Sequence, residues 1–279
     1  MSHPAASPQG RGGTPLTAGS TSPGVPVEPS RRALLRVLAV TAVTAACGSH
    51  PTKAGRPSAA GGSGQPTPPP KEPVRTVTSP AREVDSGVRS RPLVALTFHG
   101  QGDPGLATDV LAAAEHARAR LTVFAVGSWL AAQPGMVHRI GAGGHELANH
   151  TMHHRPMAGM GAPEAYAEFA DCANLLRRLG GAPGHWVRPS GTPHTTAALR
   201  AAAGRAGYRV CVGYDVDSLD YTDPGPTAIR RRVAQARAGS IVSLHLGHAG
   251  TVTALTGILA DLALRGLRPV TVTELLGAP

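Results

Sequence analysis

Short apolar runs alternate with segments of helical periodicity along residues 91–279. The run at 93–98 is almost entirely apolar and follows Pro92, which indicates a strand buried on both faces. Apolar positions then recur at helical spacing over 109–120, and a second apolar run occupies 121–126. The same alternation predicts helices at 133–140, 162–179, 195–206, 228–238 and 252–265, with strands at 146–148, 185–188, 208–216, 240–245 and 270–272. About seven such strand–helix units predict a parallel α/β sheet, either open or closed into a barrel.

The first 90 residues differ in composition from the rest of the chain. They are rich in Pro, Gly and Ser, and they contain little that a hydrophobic core needs. We therefore predict a disordered leader at 1–29, a tether at 48–90 and one folded domain at 91–279. No apolar run of about 18 residues follows the N-terminal region, which excludes a polytopic membrane protein.

Residues 30–47 have the layout of an export signal. Arg31 and Arg32 precede an apolar run at 37–46, which is too short to span a bilayer, and small residues then lead to Cys47. The first part resembles a twin-arginine signal, and the second resembles a bacterial lipobox, whose Cys is acylated. We expect an exported protein of the cell envelope, anchored to the membrane by lipid on Cys47. A soluble secreted protein cleaved near Ala46 is the alternative.

The formal net charge of +10 does not point to a nucleic-acid partner. The arginines of the folded part are scattered, and aromatic residues make up only 3% of the chain, so it lacks a basic stripe and a stacking platform. We expect a monomer that does not bind nucleic acid. Cys172 and Cys211 fall within apolar patterns and are expected to be buried thiols, with a bridge between them as the less favoured alternative.

The strongest candidate for chemistry is the histidine cluster at 149–154. His150 and His154 are four residues apart, so on a helical turn their imidazoles would point the same way and could share a metal ion. The preceding residues do not form the H-E-x-x-H pattern of zinc proteases, because the second His comes one residue late. A polar turn with surface histidines remains the alternative for this segment alone.

Other polar motifs follow in a fixed order along the chain, at the ends of predicted strands where barrel enzymes carry their chemistry. They are the segments at 93–100, 150–154, 188–191, 217–221 and 241–245. This succession resembles the polysaccharide deacetylase family, the family 4 carbohydrate esterases, over about residues 91–276. The resemblance implies a distorted (β/α)₇ barrel that hydrolyses N- or O-acetyl groups of glycans with a divalent metal.

The resemblance also implies roles for individual residues. His150 and His154 match the two histidine ligands of the metal. Arg188 matches the arginine that orients the catalytic acidic residue, and His245 matches the general acid. Asp220 and Tyr221 resemble an Asp-Trp pair that lines the acetyl pocket, with Tyr in place of Trp, and Asp220 is assigned to the catalytic group.

Further site residues are expected next to these motifs. Ser190 and Leu244 are assigned to the substrate pocket beside Tyr221. Asp217 is assigned to the catalytic group, because Asp215 and Asp217 share one strand face and one of them is expected to pair with Arg188.

The first motif of the family departs from its pattern in this chain. The family has T-F-D-D-G-P-D-P, whereas residues 97–104 have His99 and Gly100 at the two acidic positions. Three alternatives could replace the missing acidic residues. His99 is a third metal ligand in a His₃ zinc site, which we favour; His99 is the base; or Asp103 moves into the site. Gly100 is expected to leave space for water or substrate, and replacing both residues by Asp is expected to restore the family site.

Two functions follow from this sequence. The favoured one is an exported, metal-dependent hydrolase that removes acetyl groups from an acetylated polysaccharide such as peptidoglycan or a chitin-like glycan, acting on a carbon–nitrogen bond. The alternative is a catalytically inactive protein of the deacetylase fold that binds glycan or has a structural role in the envelope.

Overall fold

The computed structural model describes residues 79–279 as a curled, parallel sheet with helices packed on its outer face. Nine strands are present among the described residues: β1 Arg82–Val84, β2 Leu93–Gly100, β3 Thr122–Ala125, β4 Glu146–Asn149, β5 Trp186–Val187, β6 Val210–Val212, β7 Val216–Asp217, β8 Ile241–His245 and β9 Arg268–Val270. Their order is β1-β6-β5-β4-β3-β2-β8-β7, and β9 pairs with β2. The strands β2 to β8 form the seven-stranded body, which confirms the predicted distorted α/β barrel.

Helices connect successive parallel strands, as in βαβ units. They are α1 Pro104–His116, α2 Gly127–Ala132, α3 Gly135–Ala142, α4 Ala162–Arg178, α5 Ala197–Arg205, α6 Pro226–Val233, α7 Ala249–Leu264 and α8 Val272–Leu276, with a 3₁₀ turn at Asp220–Thr222. Helix α1 begins five residues before its predicted start, because the Asp103 carboxylate accepts hydrogen bonds from the amides of Gly105 and Leu106 and caps it. In the part of the chain that the structure describes, no helix is both long and apolar enough to cross a membrane.

The strand β2 is central to the sheet, and all eight of its residues are buried. It lies between β3 and β8, and His99 is in register with Phe124 on one side and His245 on the other. Phe98 is fully buried in the outer core beneath the helices, whereas the next side chain faces the opposite side. Phe98 therefore packs in the outer core, and His99 lies on the opposite face of β2.

Three clusters of buried residues stabilise the curled sheet, one of which packs α4 and α5 against Val187 of β5 and Cys211 of β6. The outer core lies between the sheet and α1, α4 and α7, and it contains Val94, Leu96 and Phe98 of β2. The concave side holds a second cluster that includes Ala95, Trp186 and Leu275. Helix α8 closes the end of the concave side opposite His99, and a capping box between Thr271 and Glu274 fixes where it begins.

The folded body begins earlier than the sequence indicated. Residues 79–90 lie within the predicted tether, but β1 forms a parallel pair with β6, and the Val84 carbonyl accepts a hydrogen bond from the Gly213 amide. Arg89 then forms an ion pair with Asp215 at 2.8 Å. The strand β1 could not be predicted, because three residues are too few to show a hydrophobic period and they follow a Pro-rich segment. The predicted leader, export signal and Cys47 lie outside the described residues.

Three further sequence-based expectations are settled by the fold. The predicted strand at 208–216 is two strands, β6 and β7, separated by residues 213–215. The predicted helix at 133–140 is preceded by α2, and Pro134 stands where α3 begins. Cys172 and Cys211 are both buried as free thiols, and burial raises the pKa of each to about 12.

Candidate active site

A cavity of about 380 Å³ lies where the central strands end. Its walls include five residues that the sequence assigned to the site, namely His99, His154, Arg188, Tyr221 and His245. The sequence did not assign Gln101, Tyr214, Ser243 or His248, which also line it. Because parallel strands end at one edge of a sheet, motifs from distant parts of the chain converge here.

His245 and Asp220 form a buried pair at the wall of the cavity. Asp220 is fully buried, and its carboxylate accepts hydrogen bonds from the His245 ring at Nδ1 (2.7 Å), the His245 amide (2.8 Å) and the Thr251 hydroxyl (2.6 Å). Burial alone would raise the pKa of Asp220, but the hydrogen bonds from His245 and Thr251 lower it below its ordinary value. Asp220 is therefore a carboxylate that holds the orientation of the His245 ring, as in other His–Asp pairs.

His99 bridges the two halves of the site. Its Nδ1 lies 2.8 Å from Nε2 of His245, and its Nε2 lies 3.2 Å from Nη1 of Arg188. Burial, followed by the neighbouring His150, His245 and Arg188, holds the pKa of His99 well below its ordinary value. At neutral pH His99 is therefore a neutral imidazole with both ring nitrogens engaged.

Arg188 is buried, and in the described part of the chain none of its hydrogen-bond partners is a carboxylate. Its Nε donates to the Val212 carbonyl and its Nη2 to the Gly213 carbonyl, each at 2.9 Å, and Nη1 donates to the Thr97 hydroxyl at 3.0 Å. The guanidinium also lies 4.2 Å from the centre of the Phe124 ring. Burial lowers the pKa of Arg188 to about 9, so the side chain stays charged at neutral pH.

The expected pairing of Arg188 with Asp215 or Asp217 is wrong. Asp215 binds Arg89, the Ser240 hydroxyl and the Ile241 amide, while Asp217 accepts a hydrogen bond from the Leu219 amide at 3.0 Å. Arg188 points instead toward the carbonyls at the end of β6 and toward Thr97. Asp217 is thus a residue of the turn before Asp220, not a partner of Arg188.

The segment 150–154 is a strained loop and not a helical turn. Thr151 and His154 have positive φ angles of 71° and 54°. Glu168, which is 4% exposed, accepts hydrogen bonds from the amides of Met152 and His153 at 3.0 and 2.9 Å and from the His153 ring. The prediction that a helical turn aligns His150 and His154 is therefore wrong. The loop nevertheless brings the centres of the two rings to 5.0 Å from each other.

Of the three predicted ligands, which all lie in the described part of the chain, His150 has the surroundings of a metal-binding histidine. Its Nδ1 donates to the Arg188 carbonyl at 2.8 Å, and its Nε2 is buried and has no hydrogen-bond partner within residues 79–279. His99 does not complete a site with it, because the two rings are stacked at 4.2 Å with an interplanar angle of 20°. A metal ion lies in the plane of each imidazole that binds it, and stacked rings direct their lone pairs along nearly parallel lines.

The residues present therefore do not fit the predicted His₃ zinc site of His99, His150 and His154. In the stretch 79–279, no group of three or more His, Cys, Asp or Glu side chains is placed to hold a metal ion. Both nitrogens of His99 are already hydrogen-bonded, and Gly100 offers no ligand. Asp103 does not replace the missing carboxylate, because it caps α1.

Comparison with known proteins identifies the family. The polysaccharide deacetylase family matches residues 86–211. A peptidoglycan-N-acetylglucosamine deacetylase of Bacillus cereus is 31% identical over 189 residues, which cover 66% of this chain and 88% of that protein. The chain belongs to the polysaccharide deacetylase family. A chitooligosaccharide deacetylase of a Bradyrhizobium species is 34% identical over 166 residues, covering 58% of this chain and 73% of that protein.

Solved structures of polysaccharide deacetylases share the same fold. A family 4 carbohydrate esterase from Streptomyces lividans, in complex with acetate, superimposes with a TM-score of 0.60 at 29% identity, covering 63% of this chain and 91% of that one. A family 4 pseudoenzyme from Bacillus anthracis superimposes with a TM-score of 0.66 at 21% identity, covering 72% of this chain and 70% of that one. These similarities confirm the fold class.

Two of the three predicted pocket residues do not reach the cavity. Leu244 is fully buried in the outer core, because Ser243 and His245 take the cavity face of β8. Ser190 is also fully buried, and its hydroxyl donates to the Arg155 carbonyl at 2.6 Å. Tyr221 does line the cavity: it is 49% exposed, and its ring centre lies 5.3 Å from that of His245.

Gly100, in the altered first motif of the family, leaves no space for water or substrate. A Cβ atom at this position would lie 2.8 Å from Cγ1 of Val123, 3.0 Å from the Ala125 Cα and 3.2 Å from the Ala125 Cβ. Gly100 is in register with Ala125, so it allows close contact between β2 and β3. The expectation that Asp at both positions restores the family site conflicts with this packing.

The sequence also missed three residues that hold the site together. Thr251, near the start of α7, binds Asp220, and Glu168 of α4 fixes the loop at 151–154. His248 lies at the rim of the cavity, and its Nδ1 is 2.9 Å from Oδ1 of Asp223. No local sequence pattern marks Thr251 or Glu168, whereas the position of His248 just after β8 offered a weak signal.

Proposed function

We propose that residues 79–279 form a hydrolase that removes acetyl groups from an N-acetylated glycan of the peptidoglycan or chitin-like type. The observation that carries this proposal is the Asp220–His245 pair at the wall of the cavity. The cavity volume of about 380 Å³ lies in the usual range for small-ligand sites. The two relatives described above carry deacetylase names for such glycans, which supports this choice of substrate class.

The pair supplies the proton transfers that amide hydrolysis requires. Water adds to the acetyl carbonyl carbon, the carbon–nitrogen bond breaks, and acetate and a free amine leave. His245, held by Asp220, would take the proton from water at Nε2 and return it to the leaving nitrogen, while the carboxylate stabilises the charged ring between these steps. This requires His99 to release Nε2 of His245 when substrate binds.

A second function is favoured by one specific observation. In the free protein Nε2 of His245 is already hydrogen-bonded to His99, so the atom that would move the proton is occupied. A protein that only binds glycan in this cavity needs no free base. Glycan binding without hydrolysis is therefore the alternative function.

Acetate release by the full chain tests both functions. The substrates are N-acetylated chitooligosaccharides and peptidoglycan fragments, and binding is measured on the same samples by calorimetry. We expect acetate release that falls by about 10²–10⁴-fold in His245→Gln, because a positioned acid–base group contributes this much. His138→Gln, on the exposed side of α3, is the control for replacing a histidine. Binding without release by the unaltered chain would establish the alternative.

We also propose that the protein is exported and held at the cell envelope by a lipid on Cys47. The support is the sequence alone, namely Arg31 and Arg32, the short apolar run and the lipobox-like residues before Cys47. Replacing both arginines by Lys should leave the precursor in the cytoplasm. Cys47→Ala should release the mature protein from membranes, and a variant that still fractionates with membranes would contradict the lipid anchor.

A further inference from the structure

Four buried side chains form one continuous line of hydrogen bonds. Arg188 contacts His99 at 3.2 Å, His99 contacts His245 at 2.8 Å, and His245 contacts Asp220 at 2.7 Å. All four residues are less than 10% exposed. The line begins at a guanidinium and ends at a carboxylate, so its two ends are of opposite charge.

The chemistry of the two ends determines where each proton lies. A guanidinium has only donors, so Nε2 of His99 must accept from Arg188. A neutral His99 then carries its proton on Nδ1 and donates it to Nε2 of His245. That nitrogen is an acceptor, so the proton of His245 lies on Nδ1, where it is donated to Asp220. Every contact in the line then joins one donor to one acceptor.

Other proton arrangements leave a conflict in the line. A proton on Nε2 of His99 would face the Arg188 N–H group at 3.2 Å, so that two donors would point at each other. A doubly protonated His99 would add a second buried positive charge beside Arg188, which burial strongly disfavours. The arrangement with both protons on Nδ1 avoids both conflicts.

We propose that the line from Arg188 through His99 and His245 to Asp220 takes the place of a divalent metal centre in this chain. The contacts with Arg188 and Asp220 place the proton of each imidazole on Nδ1, so neither ring has a lone pair left for an ion. This holds whether the cavity hydrolyses a glycan or only binds it. It is therefore tested separately from the proposed function.

The charges around the cavity support the same inference. Arg188 is the charged side chain that lines the cavity, while Asp220 lies behind His245 and is already hydrogen-bonded three times. A divalent cation would enter beside a guanidinium, and none of the described residues that line the cavity is a carboxylate. No ligand of opposite charge would then offset the free-energy cost of removing the cation's water shell.

Zinc binding by the full chain is the first test. The protein is produced with a tag that contains no histidine, dialysed against zinc chloride and then against buffer, and its zinc content is measured per chain. Because His and Cys residues also occur outside the described residues, the result is the difference between the unaltered chain and variants. We expect His150→Gln and His99→Gln to hold as much zinc as the unaltered chain. One equivalent of zinc that is lost in both variants would overturn the inference.

The tautomers of the two rings are the second test, and they are read from the unaltered protein. Histidines labelled with ¹⁵N are observed near pH 7, and the signals of His99 and His245 are assigned by their loss in the Gln variants. We expect both rings to give the pattern of an Nδ1–H tautomer. An Nε2–H tautomer or a doubly protonated ring at either position would overturn the inference. The exposed His138 provides a reference ring.

His99→Gln also distinguishes the line from simple packing. An amide can accept from Arg188 through its oxygen and donate to His245 through its nitrogen, whereas Leu can do neither. We expect the His245 signal to keep its Nδ1–H pattern and position in His99→Gln, and to shift in His99→Leu. Equal shifts in both variants would show that His99 acts through its volume and not through its hydrogen bonds.

Discussion

Gly100→Ala is expected to destabilise the protein although it adds a single methyl group. The new Cβ would lie 2.8 Å from a methyl of Val123 and 3.0 Å from the Cα of Ala125, and the latter is backbone that cannot rotate away. Overpacking of this kind costs about 1–3 kcal/mol. In a folded body of about 200 residues, each kcal/mol lowers Tm by roughly 2–4 °C, so the expected fall is about 2–12 °C.

The assay is thermal unfolding followed by circular dichroism, together with urea unfolding to obtain the free energy. Gly141→Ala is the matched control: it lies in α3, and a Cβ there meets nothing within 4 Å. This control should leave the stability unchanged or raise it by up to about 1 kcal/mol, since Ala favours helix over Gly. A Gly100→Ala protein as stable as the unaltered chain would refute the argument that β2 and β3 require a glycine here. Gly100→Asp should be less stable than Gly100→Ala, because it places a charge in the same contact.

Three more predictions concern the groups around the site. Glu168→Gln should lower the free energy of unfolding by about 1–3 kcal/mol, as measured in urea, because an amide nitrogen replaces an acceptor that faces the Met152 and His153 amides. Hydrogen exchange at both amides should also become faster. Arg188→Lys should lower stability by at least about 2 kcal/mol by urea unfolding, since one ammonium cannot reach all the carbonyl and hydroxyl acceptors of the guanidinium. Burial lowers the pKa of His150 well below 6.5, so below about pH 6.5 the unfolded chain takes up a proton that the folded chain does not. The free energy of unfolding should therefore fall as the pH is lowered. Urea unfolding across pH 4–8 should show a shallower fall in His150→Gln.

Much of the fold could be predicted because its signals are local. The apolar run of β2 and the helical spacing of α4 and α7 are visible within windows of a few residues, and each element is present near its predicted place. The limits of α1 were missed because a cap, and not the apolar period, sets its start at Asp103. The strand β1 was missed because its partner, β6, lies far along the sequence, and three residues carry no period of their own.

The sequence predicted which residues come together at the strand ends, but it did not predict the hydrogen bonds between their side chains. Convergence of His99, Arg188 and His245 follows from the parallel sheet, but their hydrogen bonds join positions 89 to 146 residues apart and depend on ring orientation. The stacking of His99 on His150 likewise has no sequence signal. Leu244 is different, since strand alternation already places it on the face opposite its neighbour His245.

The closure of the concave core by α8 has a consequence for the order in which the protein folds. The Val272 amide donates to the Thr122 hydroxyl across 150 residues of sequence, and β2 must wait for β8 and β9 before its pairing is complete. Such high contact order slows folding, because long loops must close before their contacts form. The domain cannot complete its core during synthesis until residues 272–276 have been made. Until then the strands β2 to β6 are exposed to aggregation, and a chaperone that delays their collapse would raise the yield of native protein.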